Sequence, residues 1–172
     1  LVGIAAAAVA RAPDLLAEDT VRLAWACAKL QIKSPELLGA LEGQLLRHRR
    51  SEAITGPALP NVAWSVATLG TTSPRLIAMV DEEAKKRTLT WGRRDFAPQE
   101  LANAAWAFAR LAIPSAHEVL REISRVSQAQ IPDFKPQELS NLVWALATAD
   151  AKDRSSNLLC RKAASDAAAR AA

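Results

Sequence analysis

Few side chains of this 172-residue chain are of a type that could carry catalysis, and their spacing argues against it. Neither of its two histidines, His48 and His117, has a second histidine or a cysteine four positions on. His117-Glu118 lacks the second histidine of a zinc-binding helix, where both imidazoles must lie one turn apart to share an ion. The six glycines are scattered, so no glycine-rich loop is available to cradle a phosphate. Asp81-Glu82-Glu83 is read as a solvated helix face rather than an acid–base pair. Cys27 and Cys160 make no disulfide framework in a chain this long, and Cys27 reads as a small core residue. The expectation is no enzyme: no catalytic residue, no metal, no cofactor.

Other side chains recur at fixed spacing and suit binding. Asn61, Asn103 and Asn141 stand three residues before Trp64, Trp106 and Trp144, and Arg22 holds that place before Trp25. Four residues after the same tryptophans come Lys29, Thr68, Arg110 and Thr148. Amides, hydroxyls and cations bond to base edges, sugars and phosphates, so these eight are candidate RNA contacts. The recurrence of one Asn argues rather for a bond to the neighbouring unit's loop or helix end that fixes stacking register. A base-reading position should vary between units, and the Lys/Thr/Arg/Thr position does. Trp91 with Arg93 and Arg94 forms an aromatic–cation cluster in a linker; it would stack on a nucleotide or cap apolar surface. Basic groups at Arg47 to Arg50, Lys85 to Arg87 and Arg121/Arg125 form a candidate phosphate-tracking edge, although cations are favoured at helix C-termini in any case. The four repeated tryptophans are read as large rim residues that seal one unit against the next, not as stacking rings.

The elements that position these residues come from a repeat. DTVRLAWACAKL, ALPNVAWSVATL, ELANAAWAFARL and ELSNLVWALATA are near-copies, with gaps of 39, 42 and 38 residues between tryptophans. A period near 40 marks stacked supersecondary units, none of which buries its apolar face alone. Pro98 and Pro136 fit a first helical turn, where a missing N–H loses nothing. Phe96 with Leu101 and Phe134 with Leu139 have the spacing of a hydrophobic staple. Helix A of each unit should therefore start near 18, 57, 98 and 136, and end about five residues past the Trp. Ser34-Pro35 and Ser73-Pro74 mark the start of helix B, as does the capping-box pattern Ser115-Ala116-His117-Glu118. Leu37/Leu41/Leu45, Leu76/Val80 and Val119/Ile123 supply its apolar face.

On a helical wheel the positions two after, two before and five before the Trp lie about 160–220° from it and form the buried side. The arc from about 40° to 120° holds the Asn and Lys/Arg positions, with Ala26, Ser65, Ala107 and Ala145 in its middle. Small residues there admit a ligand strand or a neighbouring helix. The expected fold is all-α: an α-solenoid of stacked two-helix repeats over 14–52, 53–94, 95–132 and 133–172, with 1–13 as helix B of a preceding unit.

Composition agrees. Half of the residues are hydrophobic, much of that alanine, and Tyr is absent. A net charge of +4 and a pI near 9.4 permit an anionic partner without demanding one. The apolar run at 1–10 is half a bilayer-spanning length and lacks a basic leader, so no membrane span or signal peptide is expected. Beginning at Leu1, the chain is expected to be a fragment or processed product.

The ELxNxxWAxAxL core, the Pro before it and the period resemble octotricopeptide repeats, and are similar to the helical repeats accompanying RAP domains and FAST-kinase-like proteins. The resemblance covers about residues 14–150 and is closest in copies three and four. Copy one has Arg22 for the Asn, copy two shifts its Pro and has Ala58 for the acid. The family's PPPEW-like element has APQEL and KPQEL nearest to it, and no RAP-type domain is seen. The resemblance implies a soluble organellar protein, of chloroplast or mitochondrion, that binds single-stranded RNA alongside other proteins of a ribonucleoprotein complex. Its implied role is transcript stability, processing or translation. The rival expectation is a scaffold subunit of a large organellar complex such as a ribosome, whose stripe meets protein.

Overall fold

The computed structural model describes residues 2–50, 54, 58–87 and 96–171, and all regular structure among them is helical. Among the described residues nine α-helices follow one another: α1 (Val2–Arg11), α2 (Ala17–Lys29), α3 (Pro35–Arg50), α4 (Ala58–Leu69), α5 (Pro74–Arg87), α6 (Pro98–Leu111), α7 (Ala116–Ser127), α8 (Pro136–Thr148) and α9 (Arg154–Ala171). Short 3₁₀ turns at Ala12–Asp14 and Ile131–Asp133 lead into α2 and α8. The even-numbered helices, all A helices, pack each on the next to form one layer, and the odd-numbered B helices form the other. The fold is an all-α stack of two-helix repeats, α2–α3, α4–α5, α6–α7 and α8–α9, preceded by the B helix α1.

Local chemistry sets the boundaries. Pro98 and Pro136 open α6 and α8, and the side chains of Glu100 and Glu138 accept the Ala97 and Lys135 backbone N–H at 2.9 Å. Phe96, Leu101, Phe134 and Leu139 are all buried in one apolar cluster that runs from Val21 to Ala163. Each A helix ends in the same way, six residues past its Trp. Gln31, Gly70, Ala112 and Asp150 adopt the left-handed conformation, with φ of 53°, 68°, 49° and 52°. The following residue then donates its N–H to a carbonyl five back, as Ile32 to Cys27 and Ala151 to Leu146, both at 2.9 Å. This is the Schellman closure, which satisfies carbonyls that a helix end leaves orphaned. Only copy two uses the glycine that such a site favours.

The predicted buried side is the buried side. Cys27, Val66, Phe108 and Leu146 are buried, as are Thr20, Leu59, Leu101 and Leu139, while Leu23 at the open end is half-buried. Alanines form the contact between A helices, with Ala24/Ala28, Ala63/Ala67 and Ala105/Ala109 buried. Side chains this small let helix axes approach to the short end of the usual 8–10 Å range.

The B layer is registered by polar pairs, and two expectations are corrected there. Ser115 caps nothing in its own helix; its N–H and Oγ–H both donate to Asp81 Oδ1 of α5, at 2.8 and 2.6 Å. Of Asp81-Glu82-Glu83, Glu82 alone is the solvated residue expected. Asp81 and Glu83 are buried, the latter paired with Arg49 of α3 and with Lys86. Burial pushes the Asp81 carboxyl up, but hydrogen bonds from Lys85 and Ser115 outweigh it and hold the group below the usual carboxylate range. Ser73 Oγ donates to Glu42 Oε1 at 2.8 Å, and Ser124 Oγ meets Ser156 Oγ at 3.3 Å. The start of each of α5, α7 and α9 is thus tied to the B helix before it.

Candidate nucleic-acid interface

Comparing the four A helices locates the one face that solvent reaches along the layer. Residues three before the Trp, the Trp itself and the residue four after it lie within about 60° on a helix, so they form one surface row per unit. Arg22, Trp25 and Lys29 are exposed on α2; Asn61, Trp64 and Thr68 are half-buried on α4. On α6, Asn103 and Trp106 are half-buried and Arg110 exposed; on α8, Asn141 is half-buried and Trp144 and Thr148 are exposed. The tryptophans are therefore members of this face. Trp25 and Trp144 keep 40% and 44% of their surface in contact with solvent.

Neighbouring rings meet across the layer. Trp25 and Trp64 have centroids 6.4 Å apart with planes inclined by 39°, and Trp106 and Trp144 repeat this at 6.4 Å and 34°. Lys29 Nζ lies 5.5 Å from the Trp25 ring and 5.2 Å from the Trp64 ring, within cation–π range of both. The wheel placed these positions together, but reading the Trp as a seal hid the ladder. Each ring meets its neighbour, and part of Trp25 and of Trp144 stays open to solvent.

The small residues in the middle of the predicted stripe serve packing. Ser65, Ala107 and Ala145 are buried, Ser65 Oγ being returned to the Asn61 carbonyl at 2.7 Å. The open arc is thus narrower than expected and centred nearer the Trp. Asn61, Asn103 and Asn141 are half-buried, and their side chains make no hydrogen bond to another of the described residues. Arg110 has no ion-pair partner among the described residues, whereas Arg22 pairs with Glu18 and Asp19. The Thr68 hydroxyl is buried with no hydrogen-bond partner among them. Trp91, Arg93 and Arg94 lie outside the described residues.

The basic edge along the B-helix ends is largely spent internally. Arg47 donates to the Pro13 and Leu15 carbonyls, Arg49 pairs with Glu82 and Glu83, Lys85 with Asp81, and Arg125 with Glu122. His48 is buried, with Nε2 3.1 Å from the Leu15 carbonyl. Burial pushes both the Cys27 and Cys160 thiols up, away from the thiolate a nucleophile needs. No group of three or more potential metal ligands exists among the described residues, and none of their helices is long and apolar enough to cross a membrane. No protein-family model and no curated protein sequence matches the chain.

Proposed function

We propose that the chain binds single-stranded RNA along the outer face of the A layer. The observation that carries this reading is the two tryptophan pairs on one face, with Asn61, Asn103, Asn141, Lys29 and Arg110 beside them. Exposed indole faces accept any base, while Asn and Arg supply bonds to base edges, sugars and phosphates. At about one base per repeat, four units would select about four nucleotides, too few for a unique transcript without further repeats or a partner. The resemblance of copies three and four to octotricopeptide repeats supports an organellar setting, in chloroplast or mitochondrion. It also supports a role in transcript stability, processing or translation within a ribonucleoprotein complex.

Filter binding to short RNA pools across a salt series tests the reading. Trp144→Ala should weaken binding by roughly 5- to 150-fold, the equivalent of about 1–3 kcal/mol for one stacked base. Arg110→Glu should weaken it and lower the salt slope by about one if Arg110 meets a phosphate. Absence of RNA affinity at low salt, with the helical fold intact by circular dichroism, would sink the reading. If Arg110→Glu perturbs only association with other proteins, the face is that of a scaffold.

A further inference from the structure

The two tryptophan pairs share one geometry and differ in what lies against them. Ring centroids are 6.4 Å apart in both, with planes inclined by 39° for Trp25–Trp64 and by 34° for Trp106–Trp144. Lys29, four residues after Trp25, places Nζ 5.5 and 5.2 Å from the two rings of the first pair. With the centroids themselves 6.4 Å apart, an atom at those distances stands astride the pair rather than beyond either ring. Arg110 holds the equivalent place after Trp106, but it is exposed and makes no cation–π contact among the described residues. The rings of the second pair are therefore free of a cation, and Trp144 keeps 44% of its surface open.

We propose, resting on the RNA-binding reading above, that this face is divided between two kinds of contact. Trp106–Trp144 with Arg110 is a nucleotide subsite, its rings stacking one base, whereas Trp25–Trp64 is closed to bases by Lys29 and meets a phosphate instead. Magnitudes decide the difference. A base stacking on the first pair must displace Lys29 from two rings, and each exposed cation–π contact is worth about two- to fivefold, about 5- to 30-fold together. One stacked base contributes about 5- to 150-fold, so displacement cancels much of that at the first pair and none of it at the second. Lys29 is itself exposed, so its ammonium can take a phosphate without leaving the rings. At the second pair the neighbouring Arg110 and the net charge of +4 disfavour a cationic occupant and suit a neutral ring that carries an anion. Lys29 is thus the residue that confines stacking to the α6–α8 half.

The test compares octauridylate with the same sugar–phosphate backbone lacking its bases, each titrated with the whole chain across a salt series. The wild type should prefer the oligomer that carries bases. Trp144→Ala should weaken octauridylate binding by roughly 5- to 150-fold, hardly touch the baseless oligomer, and so abolish that preference. Trp25→Ala should weaken both oligomers alike, by about two- to fivefold, since it loosens Lys29 but removes no stacked base. Lys29→Ala should lower the salt slope by about 0.7 on both. It should also weaken the baseless oligomer more than octauridylate, because the uncovered rings then accept a base. Lys29 is exposed, so its substitution leaves the fold intact should either tryptophan variant disturb packing. The division is overturned if Trp25→Ala narrows the preference for bases as much as Trp144→Ala does, or if Lys29→Ala leaves the salt slope unchanged. Failure of the folded wild type to bind either oligomer at low salt is a different result, which removes the RNA-binding reading and the division with it.

Discussion

Replacing Asp81 by Ala should cut the tie between the second and third repeats at its most buried polar point. Asp81 and Ser115 are each 5% exposed, and one carboxylate oxygen accepts both the N–H and the hydroxyl of Ser115. Alanine leaves two buried donors without an acceptor, and each orphaned group costs about 1–3 kcal/mol. Because the two share one acceptor and water can enter the vacated space, the expected loss is about 2–4 kcal/mol. Asp81→Asn keeps an acceptor of the same shape and loses only charge assistance, so it should cost less, about 1 kcal/mol. Ser115→Ala removes one of the two bonds, and in the double variant the coupling should be about 1 kcal/mol or more.

Urea unfolding followed by both circular dichroism and tryptophan fluorescence measures this. In a stack held by nearest-neighbour interfaces, weakening one interface should also separate the two signals, since α5 and α7 then melt apart. The charge adds a pH signature. The Asp81 carboxyl is held below its ordinary value in the fold. A depressed folded pKa means the unfolded chain binds the proton more tightly. The stabilisation is therefore fully present above the unfolded value, about 3.9, and drains away as pH falls through the folded one. The gap between wild type and Asp81→Asn should be constant near neutrality and close on acidification below about pH 4. An Asp81→Ala loss under about 0.5 kcal/mol, or a gap that widens in acid, would refute the argument.

Ala112→Gly should raise stability by about 0.5–1 kcal/mol in the same urea assay, because a left-handed alanine costs about 1–2 kcal/mol and glycine gives part of that back as entropy. Phe108→Ala, fully buried between layers, should lose about 3–5 kcal/mol and leave the chain partly unfolded at ambient temperature, as melting curves would show. Lys29→Gln should change stability by less than about 1 kcal/mol yet alter the fluorescence of the Trp25–Trp64 pair and weaken RNA retention on filters. Arg170→Ala removes the donor to the Ile131, Pro132 and Phe134 carbonyls, and faster amide exchange confined to that turn and α9 should report it.

Most of the architecture was legible in the sequence because it is written four times. The Trp spacing gave the period, and Pro98 and Pro136 gave helix starts that the structure reproduces. What was not legible were features that depend on a partner from another unit. Ser115 followed three residues later by Glu118 has the form of a local cap, and no local rule says that its hydroxyl turns to Asp81 instead. The left-handed residues at 31, 112 and 150 escaped because Gln, Ala and Asp do not announce a positive φ as Gly70 does. In the candidate site, the wheel put Asn, Trp and Lys/Arg on one face, but it could not say which edge of that arc the next A helix would cover. Ser65, Ala107 and Ala145 settle that edge by being buried.

The two layers divide the work. Consecutive B helices are joined by acid–hydroxyl and hydroxyl–hydroxyl pairs, so polar side chains there are committed to register. Consecutive A helices are joined by alanines, which fix a close approach while using no polar group. The A layer can therefore leave its amides and much of its cationic charge to solvent without loosening the stack. Four indoles at one position are costly to leave half-wet if packing were their only duty, since leucine at the rim would seal nearly as well. They recur beside half-buried Asn side chains that make no hydrogen bond to another of the described residues. That recurrence makes the outer face of α2, α4, α6 and α8 the surface to probe with RNA.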